Sequence, residues 1–437
     1  MVGEEIHAFA RHLWPINRSL TGDGVRQTLR EIATHLPELV VHSVSTGTTA
    51  FDWQVPKEWN VKQAYILTPN GRKICDFDTN NLHLVGYSAP FRGALSLDEL
   101  QKHLYSLPDQ PEAVPYITSY YSERWGFCIS ETERQTLEDG IYEVVVDTQL
   151  FDGELNFGEL ILKGECEEEI FLSTYVCHPS MANNELSGPT VVTYLSKWLR
   201  ELPARRFTYR IIFIPETIGS IVYLSQNHIW MKDHVVAGFN VSCVGDDRAY
   251  SFLPSRNGDT RSDRVAKHVL KWTDGNYIAY RWEDRGSDER QYCSPGMDLP
   301  IASMMRTKFG AYPEYHTSLD NLETVVTPSG LQGGYEALRK ALLILEHDRT
   351  YRAKMLCEPQ LGKRGLYPTL STKERRADLK KTMDFLSHCD GESSLFEIAE
   401  KIDVPCWELF EAAKLLVDHE IIEEIPASTS GKNIRKS

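Results

Sequence analysis

The sequence predicts an α/β fold: a mostly parallel sheet covered by helices, with a small β-rich inserted domain and a C-terminal winged-helix domain. Three observations carry this reading. Apolar strands alternate with amphipathic helices from residue 141 to residue 347, the pattern of a parallel sheet covered on both faces. Between 41 and 104, short apolar runs are separated by turn residues such as Pro69-Asn70-Gly71, which is β texture. Beyond Pro368 come three helices with short turns and then E-E-I-P-A-S as a wing. The expected organisation is a core of residues 1–40 and 105–367, an inserted domain of 41–104 and a winged-helix domain of 368–437.

Taken in order, E-I-H-A-F-A-R-H-L-W-P-I has apolar residues at helical spacing, and Thr21-Gly22-Asp23 caps a second helix, G-V-R-Q-T-L-R-E-I-A-T-H-L. F-D-W-Q-V-P-K-E-W-N-V, with two tryptophans and two prolines, reads as a rigid loop. The Pro- and Tyr-rich stretch 104–125 is expected to pass close to the site. Strands 141–147 and 156–163 follow, joined by a hairpin-type Asp152-Gly153. The central strand is Ile170–Val176, and it runs into Cys177-His178-Pro179-Ser180 and a helix over 189–201. Strand Y-R-I-I-F-I-P then ends at Glu216, strand V-V-A-G-F-N-V-S-C-V-G ends at Asp246-Asp247, and L-P-I-A-S-M-M leads to the loop A-Y-P-E-Y-H-T-S-L-D-N-L-E-T-V.

At 437 residues the chain exceeds one small core. A formal charge of −15 argues against non-specific nucleic-acid binding and against an anionic membrane surface. No apolar run reaches the length of a membrane span, and the first twenty residues lack a signal-peptide core. The nine cysteines are scattered, without a C-x-x-C pair, which points to reduced thiols and a cytoplasmic setting. Cys177 and Cys243 stand near expected active-site loops, but free cysteine usually serves as a small buried hydrophobe. The helix expected to read DNA in a winged helix carries Glu408 and Glu411 against a single Lys414. DNA binding needs the opposite charge, so contact with a protein partner or a second copy is the expectation.

Three polar clusters fall at the ends of expected strands: His178 with Asn184 and Glu185, then Glu216, then Tyr315-His316-Thr317-Ser318-Leu319-Asp320. Two imidazoles and a carboxylate leave a fourth position for water, as in a catalytic zinc site. A further glutamate off the metal suits the role of proton acceptor.

The series H-P-S, N-N-E-L-S-G, I-P-E-T-I-G-S, S-D-E-R-Q-Y and Y-H-T-S-L-D resembles zinc aminopeptidases of the α/β zinc-exopeptidase superfamily. Over nearly its whole length the chain resembles a bacterial aminopeptidase-like family of unassigned activity, through L-W-P-I-N-R-S-L-T-G, F-D-W-Q-V-P-K-E-W-N, S-L-P-D-Q-P and C-H-P-S-M-A-N-N-E-L-S-G. The resemblance implies an aminopeptidase-like core with an inserted domain and a winged helix. Carried over residue by residue, His178, His316 and the general base Glu216 match the di-zinc pattern. The bridging Asp falls on Asn184, the second Glu on Thr217, the strand-end Asp on Ser242 and the His-orienting Asp on Ser180. Two zinc ions would lack the carboxylates that hold them together. The resemblance leaves one zinc, held by His178, Glu185 and His316, or two histidines without tight metal if Glu185 turns away to cap its helix.

On that reading Tyr292 helps stabilise the oxyanion, and Arg285 and Arg290 hold a substrate carboxylate or carbonyl. Asp246, Asp247 or Glu314 meets an amine, Asp246 or Asp288 offers a further ligand, and Tyr315 flanks the site. The expected function is a zinc-dependent hydrolase of a small amide or peptide bond. The alternatives are a catalytically silent binding protein, a glutaminyl-cyclase-like activity, or an amidase acting on an amino sugar, since the resemblance places family members among polysaccharide-biosynthesis genes. Transcriptional regulation through the winged helix is disfavoured by its charge.

Overall fold

The parallel middle of an eight-stranded sheet consists of Thr208–Ile214, Glu169–Tyr175, Val235–Asn240 and Ile301–Met305, in that spatial order. The computed structural model describes residues 1–366 and 373–426. The expected boundary at 368 and the end of the expected wing therefore lie outside the described residues. Val40–Ser45 and Glu154–Leu162 extend the sheet antiparallel on one side, and Ser251–Leu253 with Ile278–Ala279 on the other.

Every residue of Glu169–Tyr175 is buried, which is why this strand reads as an unbroken apolar run rather than an alternation. From it the chain passes through helix Ser187–Glu201 to the neighbour on one side, then through helix Ile218–His234 to the neighbour on the other. Winding reverses at this strand, and such a reversal opens a crevice at the strands' carboxyl ends. Gly188 lets the first helix come that close: a Cβ there would stand 2.5 Å from both Thr174 Oγ1 and the Val241 carbonyl oxygen.

The inserted sheet has four antiparallel strands, Lys73–Ile74, Glu58–Leu67, Ile141–Phe151 and Phe91–Ser96. Its longest pairing uses a strand from beyond the expected limit at 104, so sheet membership does not follow sequence order. Val40–Ser45, conversely, pairs into the central sheet. Asp152-Gly153 is not a hairpin turn, because the strands it joins belong to different sheets. The Glu58 carboxylate fills this corner and accepts the Glu154 N–H at 2.9 Å. A Cβ on Gly153 would meet that carboxylate at 2.3 Å.

A second compact unit comprises Lys267–Gly275 and the chain from Arg339 onward. Helices Lys373–Ser387, Leu395–Lys401 and Phe410–Asp418 accompany a three-stranded sheet ordered Asp390–Ser394, Thr350–Ala353, Ile422–Ile425. It is a winged helix. Its first strand, Thr350–Ala353, precedes the expected start at 368. The strand is four residues long and directly follows helix Pro328–His347, so it has no alternation of its own in the sequence. Ser394 caps its helix through Glu397, each side chain meeting the other's backbone N–H. Among the described residues no helix is long and apolar enough to cross a membrane.

Candidate active site

At the carboxyl end of the central strand, Cys177-His178-Pro179-Ser180 turns into a π-type turn, Ala182–Leu186, that opens the following helix. Such turns recur at functional sites because they re-aim side chains. Here Glu185 is aimed inward and is completely buried. One carboxylate oxygen meets His178 Nδ1 at 3.2 Å. The other accepts from Arg18 Nε at 3.2 Å. Arg18 also donates to the carbonyls of His178 and Leu13, at 3.1 and 2.8 Å.

With Nδ1 engaged, His178 Nε2 faces Glu216, 3.7 Å from Oε2. That separation is too long for a hydrogen bond but short enough for strong electrostatic coupling. Burial opposes charge on His178, yet the hydrogen bond and field of Glu185, with the field of Glu216, raise its pKa above the ordinary value. Burial also pushes the Glu216 carboxyl up, against the pull of His178, the Ser287 hydroxyl and Arg290. The Cys177 thiol is held far above its normal range by burial and the surrounding carboxylates, and its sulfur accepts the Glu216 N–H at 3.1 Å. It is a structural thiol, not a nucleophile.

Glu216 stands on a strained turn. Its successor Thr217 has φ 64, a left-handed conformation disfavoured for a β-branched residue and worth about 1–3 kcal/mol of strain. Asp288 holds this turn by accepting the Thr217 N–H at 2.7 Å and the Ser220 hydroxyl at 2.8 Å. Burial and the field of Glu216 push the Asp288 pKa up to about 8. Arg290 donates to Thr217 Oγ1 at 3.0 Å and to the Ser287 carbonyl at 2.9 Å.

His316 arrives on a loop tied to the His178 loop by Asp320. The Asp320 carboxylate accepts the N–H groups of Asn183 and Asn184 at 2.7 and 3.0 Å, and its carbonyl accepts that of Ala182 at 2.8 Å. His316 has φ 58, and its ring stacks on Tyr315, with centroids 3.8 Å apart. The Tyr116 ring approaches both histidines, 5.3 Å from His178 and 5.1 Å from His316. Burial, and then the charge of His178, lowers the His316 pKa to about 3. Its imidazole is therefore neutral, with a lone pair available.

His178, Glu216 and His316 line one cavity of about 280 Å³, walled by Tyr116, Tyr120 and Ile218. Trp53, Tyr120 and Tyr121 also line a larger groove, of about 1320 Å³, on the inserted sheet. The Tyr-rich stretch 104–125 thus supplies much of the cavity wall, and the tryptophan loop supplies Trp53.

Several expected roles are revised by position. Glu185 lies behind His178 rather than in the cavity, with both oxygens already engaged. Tyr292 is wholly buried in the core, its hydroxyl on Ser173 and its ring edge-on to Phe171, so it is out of place as an oxyanion donor. Asp246 is saturated by Asn183, Thr307 and the Arg248 N–H. Asp288 and Arg290 brace the Glu216 turn instead of meeting substrate. Glu314 is held by Arg248 through two bonds of 2.7 Å, and Asp247 accepts from Ser329 and Thr327. Tyr315 supports the His316 ring. Sequence reasoning missed Arg18, whose only signal was its place in L-W-P-I-N-R-S-L-T-G, far along the chain from His178.

The donors fit one divalent ion better than two. Two imidazoles sharing a tetrahedral zinc place their ring centroids roughly 5 Å apart, and those of His178 and His316 are 5.8 Å apart. Asn184 Oδ1 is buried without a hydrogen-bond partner among the described residues, a neutral oxygen where the aminopeptidase pattern has its bridging carboxylate. Thr217 Oγ1 is taken by Arg290, and Ser242 carries no charge. Cys177, His178 and Glu185 also form a tight donor cluster. Arg18, however, already fills the cation position beside Glu185, and an ion there would meet its positive charge at close range.

The central sheet, its crevice and the paired histidines define an aminopeptidase-like protein with a C-terminal winged helix. A zinc aminopeptidase from Bacillus subtilis superposes with a TM-score of 0.58 at 11% identity, over 78% of this chain and 94% of that one; this likeness concerns the fold. The chain belongs to the family described as a domain of unknown function (DUF4910), whose model matches residues 7–348, and residues 349–424 match a winged helix-turn-helix model. A Clostridium acetobutylicum protein, 41% identical over 423 residues and 96% of each chain, is named for polysaccharide biosynthesis and an aminopeptidase-like domain. A crystal structure named as a peptidase from the same organism aligns with a TM-score of 0.91 at 40% identity, covering 97% of each chain.

Proposed function

We propose that this chain is a peptidase-like hydrolase of a small amide bond, using one zinc ion held by His178 and His316, with Glu216 as the proton acceptor. One observation carries the reading: His178 Nε2, the His316 ring and the Glu216 carboxylate converge on a single cavity. A zinc ion held there would supply Lewis acidity toward the amide carbonyl. Glu216 Oε2 takes the proton of the attacking water and returns it to the leaving nitrogen, and its raised pKa brings it nearer the working pH. Tyr116 and Tyr120 restrict bulk water around the reacting bond.

The cavity suits one residue-sized group, and the adjoining groove leaves room for the remainder of a peptide. The relative's name in polysaccharide biosynthesis extends the substrate class to an amide on an amino sugar. Nine scattered cysteines without a C-x-x-C pair support a cytoplasmic setting. Helix Phe410–Asp418 exposes Glu411 and Asp418 against Lys414, beside exposed Leu415 and Val417, which favours a protein partner or second copy over DNA.

A second reading, ligand recognition without turnover, draws on the neutral residues Asn184, Thr217 and Ser242 at three carboxylate positions. Elemental analysis of purified protein separates the two. About one zinc per chain, lost in His178→Ala and His316→Ala, supports the hydrolase. A metal-free protein that zinc does not stabilise overturns it.

A further inference from the structure

We infer that Arg18 is a positioning residue: by claiming one oxygen of Glu185 it decides what the other end of that group offers His178, and so which ring nitrogen keeps a lone pair toward the cavity. The inference rests on His178 being a ligand, as proposed above. The Arg18 and Glu185 side chains are both entirely shielded from solvent. A guanidinium only donates hydrogen bonds, so whatever faces Arg18 Nε must accept. In the native carboxylate both oxygens accept, which requires a proton on His178 Nδ1. The hydrogen bond on one imidazole nitrogen sets the role of the other, so Nε2 keeps its lone pair on the cavity side, 3.7 Å from Glu216 Oε2.

Arg18 is itself held by three acceptors, with Glu185 Oε1 and the His178 carbonyl sharing its Nε–H and the Leu13 carbonyl on Nη1. The more compact lysine ammonium cannot reproduce that arrangement. Ser180 cannot accept as a carboxylate would, so the orienting anion comes instead from the π-type turn, and the N-terminal segment supplies its counter-cation.

Glu185→Gln turns this into a polarity test with almost no change in volume. Arg18 will select the amide oxygen, the amide NH₂ will face Nδ1, and the histidine proton must move to Nε2. Long-range ¹⁵N NMR of the metal-free full chain, labelled at histidine and held above the His178 pKa, reads this directly. Wild type is expected as the Nδ1–H form and Glu185→Gln as the Nε2–H form, with zinc affinity, measured by chelator competition, lowered about 10–100-fold. Adding Arg18→Met frees the amide to turn, restoring the Nδ1–H form and recovering zinc affinity.

A Glu185→Gln chain that keeps Nδ1–H, or a double variant that keeps Nε2–H, overturns the inference. If the double variant does not fold, the tautomer of Glu185→Gln decides alone. Zinc that fails to bind wild type overturns the proposed function, while the tautomer measurement still judges Arg18.

Discussion

Two histidines face one cavity and are held there by opposite means. His178 is wired electrostatically, with Arg18 and Glu185 behind Nδ1 and Glu216 ahead of Nε2. His316 is held sterically, by a left-handed backbone, a stacked Tyr315 and the Tyr116 N–H on its carbonyl at 2.9 Å. Accordingly the pKa of His178 is raised and that of His316 falls to about 3. The difference teaches that two rings can be fixed at one cavity by different means. One is oriented by charge behind it, the other by packing that needs no charge.

The largest expected effect separates chemistry from binding. Glu216→Gln should lower hydrolysis by about 10²–10⁴-fold while elemental analysis still finds the metal; loss of metal together with activity would make Glu216 a ligand instead. Next, His178→Ala and His316→Ala should both abolish zinc binding but differ in the stability of the metal-free chain. His178→Ala leaves Glu185 Oε2 without its partner in the interior, at about 1–3 kcal/mol. His316→Ala should cost about 0.5–1.5 kcal/mol, the worth of an aromatic contact. Equal losses in denaturant titrations would erase the distinction.

The pH dependence of metal-free stability should carry opposite signs for the two residues. A raised His178 contributes stability that is fully present below its unfolded pKa of about 6.5 and is lost as pH rises through the folded value. His316, lowered to about 3 by burial and the His178 charge, works the other way. The unfolded chain binds a proton that the native state refuses, so stability falls as pH drops below about 6.5, by up to about 1.4 kcal/mol per pH unit. Comparing each His→Gln variant with wild type between pH 5 and 8 checks both signs. The smallest effect belongs to Tyr315: Tyr315→Phe should leave zinc affinity unchanged, and Tyr315→Ala should weaken it about tenfold by freeing the His316 ring, an effect near the 0.5–1.5 kcal/mol of an aromatic pair.

Much of this arrangement was legible before any coordinates. The buried strand ahead of Cys177-His178, the strand ending at Glu216 and the Y-H-T-S-L-D loop all lie where periodicity places them. Strand pairing was less legible: Ile141–Phe151 carries the same apolar texture whether it joins the inserted sheet or hairpins with Glu154–Leu162. Corner contacts such as Glu58 with the Glu154 N–H decide that, across about a hundred residues of chain. Roles of individual polar residues were the least legible. Asp246, Asp288 and Arg290 had the right chemistry for substrate, but each is consumed by a backbone or side-chain partner that spacing does not reveal.

By itself, then, the sequence determined the alternation of strands and helices, the winged helix, and His178 and Glu216 just beyond strand ends, because these follow from local periodicity and from residue chemistry. Only the tertiary structure decided that Glu185 stands behind His178 and that Arg18 stands behind Glu185. A buried ion pair is chosen by which groups share the same desolvated space. That depends on how residue 18 returns to residue 178, a contact with no local signature in the chain.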